Sequence, residues 1–361
     1  MRMSGTKKIC IVVTSLAKGG AERSSAMLSK MLSQLGHEMH LVSIVDAIVY
    51  EFEGQLLNLG ASENPYPNFL SRVNKFLVFK KYLKKHRFDY VIDNRSRPAF
   101  IREIIVSRWL YNPKTTIYCV RSFHLETYFI NPNFLARWIY KDAFKIVGVA
   151  KEIGLEIENT YNLQNVTSIY NPIESLPKPS QENPINGDYI LFYGRLDDKV
   201  KNISLLLEAY RISQLPKNDI KLMILGDGKD LENIKEKVRQ LDFNGMVEFQ
   251  PFLESPFNYV KHSKFTVLTS RYEGFPRTLI ESLALGTPVI SVDCQSGPKE
   301  IITHEYNGLL VENHNPTALA HAMNRFVNDE HLYQTCKQNA KKSVEAFSME
   351  NIAKQWQELL N

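Results

Sequence analysis

Four side chains in the second half of the chain have the types and spacing needed to hold a polar, anionic small molecule. Glu273 and Glu281 stand eight positions apart in "SRYEGFPRTLIESLALGTPVIS", residues 270–291. The first falls just before a Gly274-Phe275-Pro276 turn, the second inside an apolar segment with helical spacing. Proline suits the first turn of a helix, so Pro276 marks a helix start and the helix runs from about Arg277. Its free backbone N–H groups and the partial positive charge of its N-terminus make an anion site. Glu273 hangs over that site. Glu281, one to two turns along, can accept hydrogen bonds from neighbouring hydroxyls such as a ribose diol. Two cations complete the set. "FYGRLDDKVKN" ends a strand at Gly194-Arg195 and offers Lys201 just before the next helix. Both follow the carboxyl end of one strand, so both can reach the same place and hold a diphosphate. An anion flanked by two polyol-binding carboxylates suggests a nucleotide-sugar. The plain alternative, four solvated surface charges, does not account for the turn or for the companion cations.

The elements that must position these residues repeat twice. In the N-terminal half, "KICIVVTSL", "EMHLVSI", "FDYVID", "TTIYCV" and "FKIVGV" are strands, with "AERSSAMLSKMLSQLG" an amphipathic helix between the first two. The pattern restarts with "YILFYG", "IKLMILG", "MVEFQ", "FTVLTS" and "PVISVD", spaced by "NISLLLEAYRIS", "LENIKEKVRQL" and "TLIESLALG" as helices. Continuous apolar strands alternating with helices predict parallel sheets covered on both faces. Between the halves, "YNPIESLPKPSQENPINGD" is rich in proline and poor in apolar residues, a linker composition. The expected fold class is therefore α/β, with two doubly wound Rossmann-like domains facing a cleft at the carboxyl ends of both sheets. Residues 1–170 form the first domain, 171–188 the linker and 189–346 the second domain. The amphipathic terminal helix in 347–361 packs back on the first. Gly19-Gly20 follow the first strand and open a helix, which lets backbone approach a ligand closely; a plain tight turn is the alternative. "GDGKDLEN" offers two glycines after a strand, weak support for dinucleotide binding, and there is no Gly-x-Gly-x-x-Gly or P-loop lysine motif.

At 361 residues the chain fits two domains, and 44% apolar with 23% charged residues is a soluble globular composition. Cys10, Cys119, Cys294 and Cys336 lie far apart without metal-ligand spacing, and free buried thiols in a reducing cytosol explain them best. Lys7-Lys8 before "ICIVVTSLA" imitates a signal peptide, but the run enters a glycine pair and a polar helix with no cleavage site, as a buried first strand does. No apolar run approaches the ~20 residues that cross a bilayer. The net charge of +5 is unevenly placed: residues 65–110 hold eleven bases against Asp89, Asp93 and Glu103. Within them, "RVNKFLVFKKYLKKHRF" sets bases among Val73, Phe76, Leu77 and Leu83, so one face can pack on the sheet while the other faces outward. A solvated helix face and an anionic partner surface, such as a membrane met by residues 72–87, both fit that pattern. Nucleic acid does not, since no aromatic-interleaved motif accompanies the bases.

With these residues in view, the chain resembles a glycosyltransferase family 4 member of the GT-B fold over nearly its whole length. Glu273 and Glu281 match the family's E-x7-E, Arg195 and Lys201 its paired phosphate-binding cations, and "KGGAER" its N-terminal glycine loop. "SGPKEIITHEYNGLLV" is similar to the segment that follows in many members. The resemblance implies that Arg195 and Lys201 stabilise the leaving diphosphate, that Glu281 binds the nucleotide ribose, and that Glu273 contacts donor-sugar hydroxyls near the reacting carbon. The backbone through Gly274, Phe275, Pro276, Thr278 and Leu279, with Gly19 and Gly20 from the first domain, would hold sugar and phosphate. It further implies a retaining enzyme that needs no cofactor and no metal for its chemistry, and the sequence contains no Asp-x-Asp. The family often places a histidine after an N-domain strand, beside the donor sugar. Here "IYCVRSFHLE" has Arg121 directly after the strand and His124 three residues on; His124 is the candidate for that role and Arg121 its rival.

The implied partners are an NDP-sugar donor and a saccharide or lipid-linked glycan acceptor. A UDP-hexose or UDP-N-acetylhexosamine is the expected donor, with GDP-sugars as the alternative. The setting implied is cell-surface polysaccharide or glycoconjugate synthesis in the cytoplasm, at the inner face of the plasma membrane if the basic segment engages it. Two other functions fit the same fold: a nucleotide-sugar epimerase, which releases free NDP without consuming an acceptor, and a non-catalytic sugar-nucleotide-binding subunit.

Overall fold

The computed structural model describes residues 5–17, 19–61, 69–174, 176–177, 179–243 and 245–361. Lys18 of the glycine loop and Ser175 and Lys178 of the expected linker lie outside them. The chain divides into two compact units, Met1–Pro172 together with Met349–Asn361 (unit 1) and Ile173–Ser348 (unit 2).

Unit 1 runs β1 (Lys8–Val13), α1 (Gly20–Gln34), β2 (Glu38–Ser43), β3 (Gln55–Asn58), α2 (Phe69–His86), β4 (Tyr90–Asp93) and α3 (Phe100–Ile105), which continues into a π-helical turn at Val106–Leu110. It goes on through β5 (Thr116–Val120), α4 (Asn133–Tyr140), β6 (Lys145–Gly148), α5 (Lys151–Tyr161) and β7 (Val166–Ser168). Its described strands form one seven-stranded sheet in the order β3-β2-β1-β4-β5-β6-β7, every pair parallel. The inner strands are apolar on both sides because helices cover both faces, which is why β1 reads as a continuous hydrophobic run.

Unit 2 runs β8 (Tyr189–Tyr193), α6 (Asp198–Lys201), α7 (Ile203–Ile212), β9 (Lys221–Leu225), α8 (Leu231–Gln240), β10 (Val247–Gln250) and α9 (Phe257–His262). There follow β11 (Thr266–Leu268), α10 (Arg277–Ala284), β12 (Val289–Val292), α11 (Pro298–Ile301), β13 (Gly308–Val311), α12 (Pro316–Asn328) and α13 (Glu330–Ser343). The strand order is β10-β9-β8-β11-β12-β13, again all parallel. In both sheets the winding reverses once, between β1 and β4 and between β8 and β11. Ligands of doubly wound sheets bind outside the carboxyl ends of the strands at such a reversal. The last helix, α14 (Met349–Leu360), belongs to unit 1: Ile352, Trp356 and Leu360 enter the core of Ile9, Ile11, Leu28 and Leu32, and the Tyr90 hydroxyl donates to the Leu360 carbonyl at 3.2 Å. A side chain of that size, fully buried, contributes roughly 1.5–3 kcal/mol.

All ten strands read from the sequence are present, and the two-sheet α/β class stands. Three strands were not read. β3 and β7 are four and three residues long, lie at the sheet edges and are only partly buried, too short and too mixed for a period to register. β13 sits in a segment whose charged neighbours mask it. The orientation of α2 also differs from expectation. Phe79 is buried and the Tyr82 hydroxyl meets His40 Nδ1 at 2.5 Å, so these two take the sheet side. Leu77 is two positions from Phe79, about 200° round a helix with 3.6 residues per turn, and so points away. It is 55% exposed and Val73 37%. All four cysteines are buried and unpaired.

Candidate active site

The two loops that meet at the unit 2 winding reversal are stitched together by hydrogen bonds. β8 ends at Tyr193, and α6 carries Lys201, whose carbonyl accepts from Thr269 Oγ1 at 2.9 Å. The next residue, Asn202, turns left-handed at φ 50° and accepts from Arg271 Nη2 at 2.9 Å, while the Arg271 N–H donates to the Val200 carbonyl at 2.8 Å. These contacts fix the loop after β8 against the loop after β11. The consequence is direct: Lys201 Nζ lies 2.6 Å from Glu273 Oε1, which also accepts from Ser270 Oγ at 2.6 Å. Lys201 and Glu273 keep 22% and 12% of their side-chain surface open, so the pair is reachable by a ligand. Arg195, after the same strand, is exposed and hydrogen-bonds no side chain among the described residues.

A third loop sets the turn itself. The Glu273 N–H donates to the Gln295 carbonyl at 3.0 Å, and Ser296 Oγ donates to the Gly274 carbonyl at 2.7 Å. Gly297 is at φ 98°, and a β-carbon there would stand 2.4 Å from Pro276 Cδ, so only glycine lets this loop close on the turn. Pro276 precedes α10, whose N-terminus therefore opens at the carboxyl edge of the sheet. The Tyr193 hydroxyl donates to the Thr278 carbonyl at 2.7 Å and ties α10 to β8. Phe275 and Leu279 are buried, Phe275 with its ring 5.0 Å from that of Phe347, so these two residues have only main chain to offer a ligand. Glu281 is buried as well, with Oε1 accepting from Arg277 Nη2 at 3.1 Å.

Of the residues expected to act together, Lys201, Glu273 and the Gly274–Pro276 turn are brought into one site, with Glu281 on the helix behind it. Sequence reasoning missed the residues that hold this site: Ser270, Arg271, Asn202, Ser296 and Arg277. Arg277 had a signal, since it precedes Glu281 by one i,i+4 step. The glycines of "GDGKD" have a different reason from the one considered. A β-carbon at Gly226 would lie 1.9 Å from the Gly194 carbonyl oxygen, and one at Gly228 2.2 Å from that of Leu196. They let the turns after β8 and β9 pack backbone to backbone, which explains them without a dinucleotide.

In unit 1, Gly19 stands before α1 at φ 148°, with its N–H 3.4 Å from the Tyr50 hydroxyl, and Gly20 opens the helix. His124 is exposed in a short turn after β5, where its carbonyl accepts from Thr127 Oγ1 at 2.8 Å. Its rival Arg121 is half-buried and tied by Nε to Asn94 Oδ1 at 3.1 Å and by Nη1 to Asn171 Oδ1 at 2.6 Å, so it braces the ends of three strands. Of the two, His124 is the one presented to solvent.

The carboxyl end of β4 holds a second set of charges that the sequence reading had counted as part of a basic surface. Asp93, fully buried, takes Arg95 Nε at 3.0 Å and Nη2 at 2.5 Å. Arg97 is also fully buried, donates to the Arg95 carbonyl at 3.0 Å and lies over the rings of Tyr118, Tyr128 and Tyr140 at 5.1–5.7 Å. Glu103 accepts from Ser107 Oγ at 2.9 Å and the Tyr140 hydroxyl at 3.2 Å, with Arg95 Nη2 3.7 Å away. Two arginines and two acids cancel, and the cluster is interior. Outside it, residues 65–110 retain nine bases against one acid, Asp89.

In unit 2 the Lys201–Glu273 pair, the Gly274–Pro276 turn and the N-terminus of α10 stand together at the carboxyl edge of the sheet, with Arg195 exposed after β8. Comparison with known proteins places the whole chain in a family. The family model described as "Glycosyltransferase Family 4" matches residues 18–175, and "Glycosyl transferases group 1" matches residues 177–343. The N-acetylgalactosamine-N,N'-diacetylbacillosaminyl-diphospho-undecaprenol 4-alpha-N-acetylgalactosaminyltransferase of Campylobacter jejuni is 31% identical over 365 residues, covering 96% of this chain and 98% of the relative. The amylovoran biosynthesis glycosyltransferase AmsD of Erwinia amylovora is 26% identical over 98% of this chain and 99% of its own. Among solved structures, Anabaena Alr3699/HepE in complex with UDP and glucose has the same fold, with a TM-score of 0.80 at 17% identity over 98% of this chain and 99% of that one. Matched from end to end by a relative at this level, and by family models over both halves, the chain belongs to glycosyltransferase family 4.

Proposed function

We propose that the protein moves a sugar from a nucleoside-diphosphate sugar to a hydroxyl of a saccharide or lipid-linked glycan, with retention of configuration and without a metal ion in the chemistry. The observation that carries this reading is the Lys201–Glu273 pair, 2.6 Å apart and open to solvent, at the winding reversal of unit 2. An arriving diphosphate gives Lys201 a second anion, and Arg195 closes on the same phosphates. Glu273, released in part from Lys201, then accepts from donor-sugar hydroxyls, with the Gly274–Leu279 main chain holding sugar and phosphate. Glu281, one oxygen already on Arg277, takes the ribose. The acceptor hydroxyl attacks the anomeric carbon on the face the diphosphate leaves, its proton passing to the departing oxygen. Preorganised cations absorb the developing charge, the work a metal does elsewhere.

The relatives support the choice of substrates. The Campylobacter enzyme is named for an N-acetylgalactosaminyl transfer onto a diphospho-undecaprenol-linked sugar, and AmsD for polysaccharide biosynthesis. Anabaena HepE has been crystallised with UDP-glucose. A UDP-hexose or UDP-N-acetylhexosamine donor and a role in surface-glycan assembly follow as the proposal. Thermal unfolding against a panel of NDP-sugars tests it, because a ligand at ~100 times its Kd adds about 2.7 kcal/mol. The expected result is protection by UDP-sugars and turnover that survives EDTA. A melting point unmoved by every NDP-sugar overturns the donor assignment, and turnover abolished by EDTA and restored by Mn²⁺ or Mg²⁺ overturns the metal-free mechanism.

A further inference from the structure

In unit 1, the connections β3→β4, β4→β5, β5→β6 and β6→β7 all step along the sheet in one direction, while β1→β2 steps the other way. Parallel crossovers are right-handed, so α2, α3 with its π-turn, α4 and α5 lie together on one face, opposite α1 and α14. Ring contacts join neighbours in this layer: Phe79 of α2 to Tyr111 at 6.1 Å, and the Arg108 guanidinium over Trp138 of α4 at 4.1 Å. The outer surface of this layer is unusually apolar. Leu70 and Leu77 of α2, Ile101 of α3, Trp109 of the π-turn and Phe134 and Trp138 of α4 are all exposed, Trp109 at 70% and Phe134 at 69%. Among the described residues of unit 2 the exposed large apolar ones are Ile212, Leu241, Phe252 and Tyr306, scattered along the chain, and none exceeds 51%.

The same helices carry exposed bases. Lys81, Lys84 and Lys85 follow the apolar stripe of α2 and Arg102 follows Ile101, whereas Arg108 is largely covered and pairs with Asp142 at 3.5 Å. An apolar surface crowded with lysine is a poor match for a protein partner, because interface cores are depleted in lysine. It matches an anionic bilayer closely: tryptophan settles at the headgroup boundary, apolar side chains sink below it, and bases meet the lipid phosphates.

We propose that the α2–α3–α4 face of unit 1 docks on an anionic membrane by inserting Ile101, Trp109, Phe134 and Trp138, with the α2 lysines supplying attraction around them. This exceeds a purely electrostatic contact of α2, because the apolar contribution persists when salt screens the charges. It is independent of the sugar chemistry and is read without turnover.

The chain's three tryptophans give a direct test, since Trp109 and Trp138 are exposed and Trp356 is buried. The full-length protein is mixed with vesicles of phosphatidylcholine alone, or with about a third phosphatidylglycerol, with and without bromine on the acyl chains. The expected result is co-sedimentation with the anionic vesicles and bromine quenching of part of the emission, the Trp356 part remaining. In Trp109→Phe/Trp138→Phe binding persists and quenching disappears; in Ile101→Ser/Phe134→Ser, both positions exposed and their folding checked by melting, binding falls at least tenfold. Adsorption without quenching overturns insertion. Equal binding to neutral vesicles, or none to either, overturns the anionic bilayer as partner and leaves an acidic protein surface as the reading.

Discussion

Each unit reverses its winding once, and each places a cation–carboxylate pair beside that reversal, Arg95–Asp93 in unit 1 and Lys201–Glu273 in unit 2. What differs is where the charges face. In unit 1, Asp93, Arg95, Arg97 and Glu103 are all less than a tenth exposed and pair with one another, Arg95 with Asp93 at 2.5 Å and with Glu103 at 3.7 Å. Arg97 Nε and Glu103 Oε2 have no hydrogen-bond partner among the described residues. Burial alone would raise Asp93, but the charge and hydrogen bonds of Arg95 outweigh it and hold the carboxyl below its ordinary range; burial wins at Glu103 and pushes that carboxyl up. In unit 2, Lys201 and Glu273 pair with part of their side chains open to solvent, and Arg195, after β8, is exposed. The same topology thus has two outcomes: one charge set is closed on itself in the core, the other keeps solvent access, as the proposed site requires. Position in the fold does not make a site; solvent access to the charges does.

If this contrast is right, breaking the unit 1 set damages stability first. Asp93→Ala leaves Arg95 buried without its carboxylate, and unpairing a buried ion in this way costs about 3–5 kcal/mol. Thermal or urea unfolding should show that loss in full. The sign with pH follows from the shift. Because Asp93 is held low in the fold, the stability it provides is present above its ordinary value of ~3.9 and fades as pH falls through the lower folded value. Glu103 acts oppositely, favouring the fold below its own ordinary value. A variant that melts within a degree or two of the parent would show the cluster to be ordinary polar packing.

Breaking the unit 2 set should do the reverse. Lys201→Ala removes a partly exposed pair, and such pairs contribute about 0–1 kcal/mol to folding, so the melting point barely moves. Turnover should fall by about 10²–10³, as when one preorganised donor to a developing anion is lost. Steady-state kinetics on the folded variant decide it: near-normal kcat takes Lys201 out of the mechanism and erases the contrast between the two sets.

The open set was the more legible in sequence. Arg195, Lys201, Glu273 and Glu281 announce themselves because turn-forming glycine and proline, strand ends and charge types coincide within short windows. The closed set was misread, since "DNRSRP" looks the same whether its arginines face water or tyrosine rings. Only the fold brings Tyr118, Tyr128 and Tyr140, 21 to 43 residues further on, against Arg97. The outward Leu77 was misread for a related reason: an amphipathic helix with apolar residues on two sides does not say which side meets the sheet until Phe79 and Tyr82 are seen to claim it. The partners of the site residues, Asn202, Arg271 and Ser296, come from three loops, and long-range stitching of that kind leaves no local pattern.

The smallest expected effect separates the two acids of unit 2. Glu281 is buried behind the site with one oxygen on Arg277, and Glu273 is at the surface with one oxygen shared by Lys201 and Ser270. Glu281→Gln keeps an acceptor for Arg277 but removes the charge proposed to meet the ribose, so affinity for the bare nucleoside diphosphate should fall about tenfold, near 1.4 kcal/mol and at the lower end for a hydrogen bond to a charged group. Glu273→Gln removes the counter-charge of Lys201 instead. That leaves the ammonium more available to a diphosphate, so NDP affinity should hold or rise slightly while turnover of the full NDP-sugar drops. Calorimetry with UDP alone, beside kinetics with the donor, measures both quantities on each variant. Equal losses of UDP affinity in the two variants would mean that both acids serve the nucleotide, and the division of labour between ribose and sugar would have to be abandoned.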